Sequence, residues 1–214
     1  MDITNALNYA IAPYGFKPLT VEDTIKMVGE GLTRLIEKFL AASGDSFSSA
    51  NPRECGLRRG DNNVFIKDAV LDRFTKYYSE HLADFTKTYP GVIKTLEMLG
   101  GYKKAIISNK RESLSKKLLE QLKLMKFFDV VLGSDSAHGE KPSPAPVKKV
   151  LEILGIEPHR ALIVGDSDFD IQAGKGAGLI TVAVTYGFRD RESLSNADFL
   201  IDNMAQLLTL IEKQ

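Results

Sequence analysis

Residues 161–187 read ALIVGDSDFDIQAGKGAGLITVAVTYG, and this stretch decides the fold. ALIVGD (161–166) is a short apolar run of the kind that forms a buried strand. A helix is predicted over 169–177, stopped by Gly178. ITVAVTYG (180–187) then predicts a second strand, again apolar on both faces. Two such strands joined through a helix make a parallel pair with a right-handed crossover, because helices must cover both faces of the sheet. Working outward, the same grammar recurs. A short strand, DFLID (198–202), and a last helix from about 204 follow. Upstream come a helix over 91–99 ended by Gly100-Gly101, a strand KKAIISN (103–109), a helix over 112–124, a strand DVVLG (129–133) and a helix over 145–154 ended by Gly155. Residues 89–214 are therefore expected to be a doubly wound α/β domain.

Residues 1–88 follow a different pattern. Ile3, Leu7, Ala10 and Ile11 recur at helical spacing within 3–14, and Gly15 ends that helix. Thr20 with Asp23 has the form of a capping box opening a short helix through Met27. Leu32, Leu35, Ile36, Phe39 and Leu40 make 32–42 amphipathic. Residues 43–63 are polar and lack apolar periodicity, which predicts a long surface loop. A helix is predicted from about Phe65 to Phe85, with Ala69, Leu71, Phe74, Tyr77 and Tyr78 facing inward. This first domain is expected to be all helical.

The bulk composition narrows the function. Of 214 residues 43% are hydrophobic, enough for a real core, so wholesale disorder is not expected. Lys plus Arg equals Asp plus Glu at 28 each, which gives no basic surface for nucleic acid. Cys55 is the one cysteine, so no intrachain disulfide can form, and a reducing cytoplasm fits best. No apolar run approaches the roughly 18 residues of a membrane span. Asp2 and Asn5 do not suit a signal peptide. His81, His138 and His159 lack ligand spacing and read as surface residues. Cys55, near Arg53, Arg58 and Arg59, reads as a bystander thiol.

Ligands of open α/β sheets bind beyond the C-terminal ends of the strands. Three predicted strand ends there carry pointed chemistry. In IVGDSDFD (163–170), Asp166 leaves a buried strand and Asp168 and Asp170 follow within a helical turn. Carboxylates this close repel one another unless a cation shares them, and hard oxygen donors favour Mg²⁺. Helix capping is the ordinary alternative, stronger for Asp168 than for Asp166. In IISNK (106–110), Ser108 and Asn109 end a strand and open a helix, where a hydroxyl and free N–H groups suit a phosphate, although Ser-Asn is also an ordinary helix cap. In GEKPSPAP (139–146), Pro142 and Pro144 stiffen the backbone around Lys141. Such an ammonium can neutralise charge in a transition state, while the default for a lysine is a solvated surface.

A hydroxyl, a lysine and Gly-Asp-x-x-x-Asp on successive strands resemble the signature of the haloacid-dehalogenase-type superfamily. KPSPAPVKKVLEILG (141–155) and ALIVGDSDFDIQAGKGAG (161–178) resemble its phosphoglycolate-phosphatase branch, and the likeness covers essentially the whole chain. The resemblance implies a parallel Rossmann-like sheet with a helical cap over 1–88 and a core over 89–214. It implies hydrolysis of a small phosphomonoester, with 2-phosphoglycolate the best single candidate, by a monomer or homodimer. It matches Ser108 and Asn109 to phosphate binding and Lys141 to charge neutralisation. Asp166 it matches to Mg²⁺ binding, and Asp170 to holding the metal's waters or Lys141. Val28-Gly29-Glu30-Gly31-Leu32 resembles the cap loop that faces substrate, with Gly31 shaping it and Arg34 reaching a carboxylate. A plain helix–helix turn is the alternative there.

The family's first strand ends in Asp-x-Asp-Gly-Thr, whose first Asp attacks phosphorus and whose second is the general acid and base. No such segment occurs here, since Asp2-Ile3 already matches the start of the cap. That strand is central in the family's sheet order 3-2-1-4-5, so two strand edges are expected to stand open. Three explanations remain: a start assigned downstream of the true one, a truncation, or filling by another segment such as Asn63–Lys67 or a neighbouring chain. The first two predict little or no phosphatase activity for these 214 residues. The alternatives in function are a non-catalytic module that binds a phosphorylated ligand or a partner, or a β-phosphoglucomutase-like enzyme.

Overall fold

The structure is a computed structural model that describes residues 1–43 and 63–212. It divides into two compact units, Met1–Thr86 and Lys87–Gln214. The polar stretch expected to be a surface loop, with Cys55 in it, lies mostly outside the described residues.

The first unit is helical. Helix α1 (Asp2–Ile11) tightens into a 3-10 turn over Ala12–Tyr14 and stops at Gly15, whose φ of 73° suits a residue without Cβ. The Thr20/Asp23 capping box forms as the spacing predicts and opens α2 (Val21–Met27). Helices α3 (Gly31–Ser43) and α4 (Asn63–Glu80) follow. Helices α1 and α4 pack together: Tyr9 stacks on Tyr77 with ring centroids 4.5 Å apart, and the Arg73 guanidinium donates to the carbonyls of Tyr9 and Ala10.

The buried line of α4 is Ile66, Val70, Phe74 and Tyr78. It differs from the expected inward set, because Ala69, Leu71 and Tyr77 are only half-buried. Residues four apart form the ridge that meets α1, and the periodicity of α4 alone left the helix's rotation open by one position. The carboxylate of Asp2 is buried and ties the two ends of this unit together. It accepts from the N–H of Phe85 (3.0 Å), the N–H of Thr86 (2.9 Å) and the Thr86 hydroxyl (2.6 Å).

The second unit is α/β. Its helices are α5 (Val92–Met98), α6 (Glu112–Gln121), α7 (Ala145–Leu154), α8 (Asp168–Gly176) and α9 (Gln206–Ile211). Its strands are β1 (Ala105–Ile107), β2 (Val130–Leu132), β3 (Leu162–Gly165), β4 (Ile180–Val184) and β5 (Phe199–Ile201), and every pairing is parallel. They form two sheets, β1-β2 and β3-β4-β5. Among the described residues, strands β1 and β3 each lie at the edge of a sheet and do not pair with each other.

This arrangement shows in the burial. Thr181–Val184 of β4 are buried, whereas the residues of β1 and β3 are half-buried despite being as apolar. Both end strands nonetheless rest on one helical layer: Ile107 and Ile163 pack against Val147 and Leu151 of α7 and Ala173 and Ala177 around α8. On the other face, Val182, Val184 and Ile201 pack against Leu99 and Leu207. The suggestion that Asn63–Lys67 supplies a strand between β1 and β3 is overturned, because those residues are the first turns of α4. Ile66 among them begins the Ile66–Tyr78 ridge, and burying that ridge on α1 selects helix.

Candidate active site

The chemistry collects beyond the C-terminal ends of β1 and β3. Ser108 directly follows β1 and donates its N–H to the Leu132 carbonyl of β2 (3.1 Å). Its hydroxyl accepts from the N–H of Lys110 (3.1 Å). Ser108 and Asn109 do not open α6 directly: a loop of four residues, 108–111, follows β1, and the helix begins at Glu112, where its sequence predicts. The N–H of Glu112 is given to the Asp135 carboxylate (2.8 Å), which enters from the loop after β2. A residue 23 positions away therefore caps this helix, which the local sequence does not reveal.

Lys141 reaches the same place from the loop before α7. Its Nζ donates to the Ile107 carbonyl at the end of β1 (2.9 Å) and to Asp170 Oδ1 (2.6 Å). The pair is well shielded, with side chains 14% and 9% exposed. The lysine is thus a fixed cation rather than a solvated one. The Lys141 backbone is held by Asn109, whose Oδ1 accepts from the Lys141 N–H (2.9 Å) and whose Nδ2 donates to the Lys141 carbonyl (2.8 Å).

The run Asp166–Asp170 resolves into three different roles. Ser167 and Asp170 form a capping box that opens α8. Asp170 Oδ2 accepts from the Ser167 hydroxyl (2.6 Å) and N–H (3.2 Å), while Oδ1 faces Lys141. Both oxygens of Asp170 are thereby engaged by protein donors. Asp168 accepts from Gln172 one turn along the helix (3.3 Å). The Asp166 carboxylate has no hydrogen-bond donor among the described residues.

Asp166 sits against glycine backbone. A Cβ on Gly187, in the loop after β4, would lie 2.4 Å from Asp166 Cβ and 2.5 Å from its Oδ2. Gly165 performs the same service for Asp170, whose Cβ and Cγ are 2.2 Å from where a Gly165 Cβ would stand. Next to Gly187, the Tyr186 phenol is pushed above its ordinary pKa by burial first, then by neighbouring Tyr89 and the charge of Asp166. An unpartnered carboxylate in a backbone-lined cradle at a strand end fits a hard divalent cation that keeps most of its waters. No group of three or more metal-ligating side chains occurs among the described residues, and the Asp168 carboxylate accepts only from Gln172, on one oxygen.

Gly31 and Arg34 belong to the helical unit. Gly31 starts α3 at φ 82°, and Gly29 before it has φ 124°, so this loop needs glycine at both places. Glu30 pairs with Lys38. Arg34 is exposed and bonds Glu37 (2.9 Å) on its own helix. Glu37 also takes Lys67 (2.7 Å), and that hydrogen bond, ahead of Arg34, holds its carboxyl below the usual carboxylate range. Of the histidines, His81 is paired with Asp84 (2.7 Å), and His138 and His159 are exposed.

Sequence reasoning had no reason to single out the Asn109 side chain, Ser167, Gly187 or the Ile107 carbonyl. Only Ser167 carried a local signal, the Ser-x-x-Asp spacing of a capping box.

A parallel α/β unit with a lysine–carboxylate pair, a strand-end hydroxyl and a strand-end Gly-Asp is the arrangement that the resemblance to the dehalogenase-type family led one to expect. The chain belongs to this family: the model of the haloacid dehalogenase-like hydrolases matches residues 2–184. Among curated relatives, the phosphoglycolate phosphatase of Aquifex aeolicus is 37% identical over 99% of this chain and 89% of its own length. That of Neisseria gonorrhoeae is 36% identical over 92% of this chain and 78% of its own. The crystal structure of a predicted phosphoglycolate phosphatase from Haemophilus somnus superposes with a TM-score of 0.85 at 25% identity, covering 98% of this chain and 90% of that one.

Proposed function

We propose that this chain carries the phosphate- and Mg²⁺-binding half of a phosphomonoesterase acting on a small phosphorylated metabolite, 2-phosphoglycolate being the leading candidate. The observation that carries the reading is the Lys141 ammonium, held between Ile107 and Asp170 beside Ser108. A dianion placed there meets a fixed positive charge without the cost of ordering a mobile side chain. The Ser108 hydroxyl and the Asn109 N–H are assigned to phosphate oxygens. Asp170 acts through Lys141, because its oxygens are already engaged. Asp166 is assigned to Mg²⁺, which when bound shields the phosphate dianion and stabilises the transferring group. For Gly31 and Arg34 a part in substrate selection rests on the resemblance of residues 28–32 alone. The names of the curated relatives support the substrate, and the lone cysteine supports a cytoplasmic setting. Among the described residues no helix is long and apolar enough to cross a membrane.

The attacking carboxylate is assigned to a further parallel strand ending in Asp-x-Asp-Gly-Thr, seated between β1 and β3. Their edges, unpaired among the described residues, their half-buried apolar residues and their shared helical layer support that seat. The 214 residues alone are expected to hold phosphate without hydrolysing it, because losing a covalent nucleophile removes several orders of magnitude of rate. The test is turnover of p-nitrophenyl phosphate and 2-phosphoglycolate with Mg²⁺, by the chain as given and with that strand fused before Met1. Turnover is expected only with the strand, and Asp166→Asn should abolish it. Turnover by the 214 residues that survives Asp166→Asn defeats the site assignment. Phosphate binding with no turnover even after fusion selects the non-catalytic binding module.

A further inference from the structure

We infer that Asn109 is a positioning residue: its side-chain amide fixes the backbone of Lys141 and so sets where the ammonium stands. The inference rests on the reading of Lys141 as the phosphate-neutralising cation. Lys141 lies in a loop that follows β2 and precedes Pro142, which has no N–H to donate. A lysine side chain is long and loses much rotamer freedom when fixed, so a drifting backbone beneath it would spread the ammonium over several positions. The Asn109 amide removes that drift. It accepts from the Lys141 N–H at 2.9 Å and donates to the Lys141 carbonyl at 2.8 Å, as a neighbouring strand would.

A side chain that offers one acceptor and two donors on a short planar stem can satisfy both backbone groups at once. Aspartate would set a second acceptor against the Lys141 carbonyl, and serine is too short to span both. Asn109 is itself anchored. It follows Ser108, whose N–H is bonded to the Leu132 carbonyl, so the clamp is referred to the β1-β2 pairing. Lys141 Nζ in turn bonds the Ile107 carbonyl, two residues before Asn109. The hydroxyl of Ser108 and the ammonium of Lys141 are therefore delivered as one unit from two loops that lie 32 positions apart in sequence.

The test uses the full 214-residue chain, inorganic phosphate as probe and isothermal titration with Mg²⁺ present. Asn109→Ala keeps the backbone N–H and removes both clamp bonds to Lys141. It is expected to weaken phosphate binding about tenfold, equivalent to about 1.4 kcal/mol, and to speed hydrogen exchange at the Lys141 amide. In a Lys141→Met background Asn109→Ala should have no further effect on phosphate, since the clamp acts only through the lysine. Asn109→Ser, which keeps a polar group but cannot span both partners, should behave like the alanine variant and replaces it should that variant not fold. Phosphate affinity within twofold of the parent in Asn109→Ala, or an equal loss with and without Lys141, overturns the inference while leaving the site reading intact. A parent chain that does not bind phosphate, or a Lys141→Met variant that binds as tightly as the parent, overturns the site reading and the inference with it.

Discussion

Removing Lys141 should reveal how strongly the buried ion pair holds the second unit together. The Nζ–Oδ1 separation is 2.6 Å, and the two side chains are 14% and 9% exposed, so solvent screens the pair little. Breaking a buried pair by removing one partner typically costs about 3–5 kcal/mol, because the other charge stays buried alone. Here Asp170 keeps two donors from Ser167, which moderates the loss. The Ile107 carbonyl meanwhile loses the ammonium, at a cost of about 1–3 kcal/mol if it stays dry. Lys141→Met is therefore expected to destabilise by about 3 kcal/mol, a fall in Tm of roughly 6–12 °C at the usual 2–4 °C per kcal/mol for chains of this size. Asp170→Asn should cost a comparable amount, since it leaves the ammonium without its counter-charge and turns an amide NH2 towards the Ser167 donors.

The decisive quantity is the coupling from the double-mutant cycle with Lys141→Met and Asp170→Asn, expected at about 1.5–3 kcal/mol. Urea denaturation followed by amide exchange in β3 and β4 reads the second unit by itself. A shielded pair should also keep its coupling in high salt, whereas an exposed one would lose it within a short Debye length. A coupling below about 0.5 kcal/mol, or one that disappears in molar salt, refutes the picture of a fixed, desolvated cation.

Three further outcomes follow from other parts of the molecule. Gly187→Ala would drive a methyl into Asp166 and should cost about 1–3 kcal/mol from overpacking. Electron-spin resonance with Mn²⁺ as probe should show weaker metal binding in that variant, and unchanged binding would remove Asp166 from the metal site. Tyr78, 5% exposed, is raised to about pH 12 by burial first and the charge of Asp2 second. Its folded-state pKa lies above the unfolded value near 10, so the contribution is complete below about pH 10. It is then lost towards pH 12 at up to about 1.4 kcal/mol per unit. Tyr78→Phe should flatten this alkaline decline, and an unchanged decline would acquit Tyr78. Asp2→Ala strips the acceptor from two N–H groups and a hydroxyl and should cost about 2–4 kcal/mol in the helical unit. Native Tm in that variant would show that the tie between residues 2 and 86 carries no weight.

The sequence by itself determined the strand–helix alternation after residue 89 and the family. Each of these is written in local periodicity, in glycine stops and in short motifs such as Thr20…Asp23 and Gly165-Asp166. It also pointed to Ser108, Lys141, Asp166 and Asp170 as candidates, because ligands of open sheets bind beyond the strand ends. Only tertiary structure decided what each of them touches. Asp170 faces Lys141, while Asp166 has no donor among the described residues. The cap of α6 comes from Asp135 and the clamp on Lys141 from Asn109, both brought in by loops remote in sequence. The buried ridge of α4 was likewise fixed by α1. Local patterns reflect forces between neighbours along the chain, whereas a hydrogen bond between loops depends on where the parallel β1-β2 pairing and the helical layer beneath it place those loops.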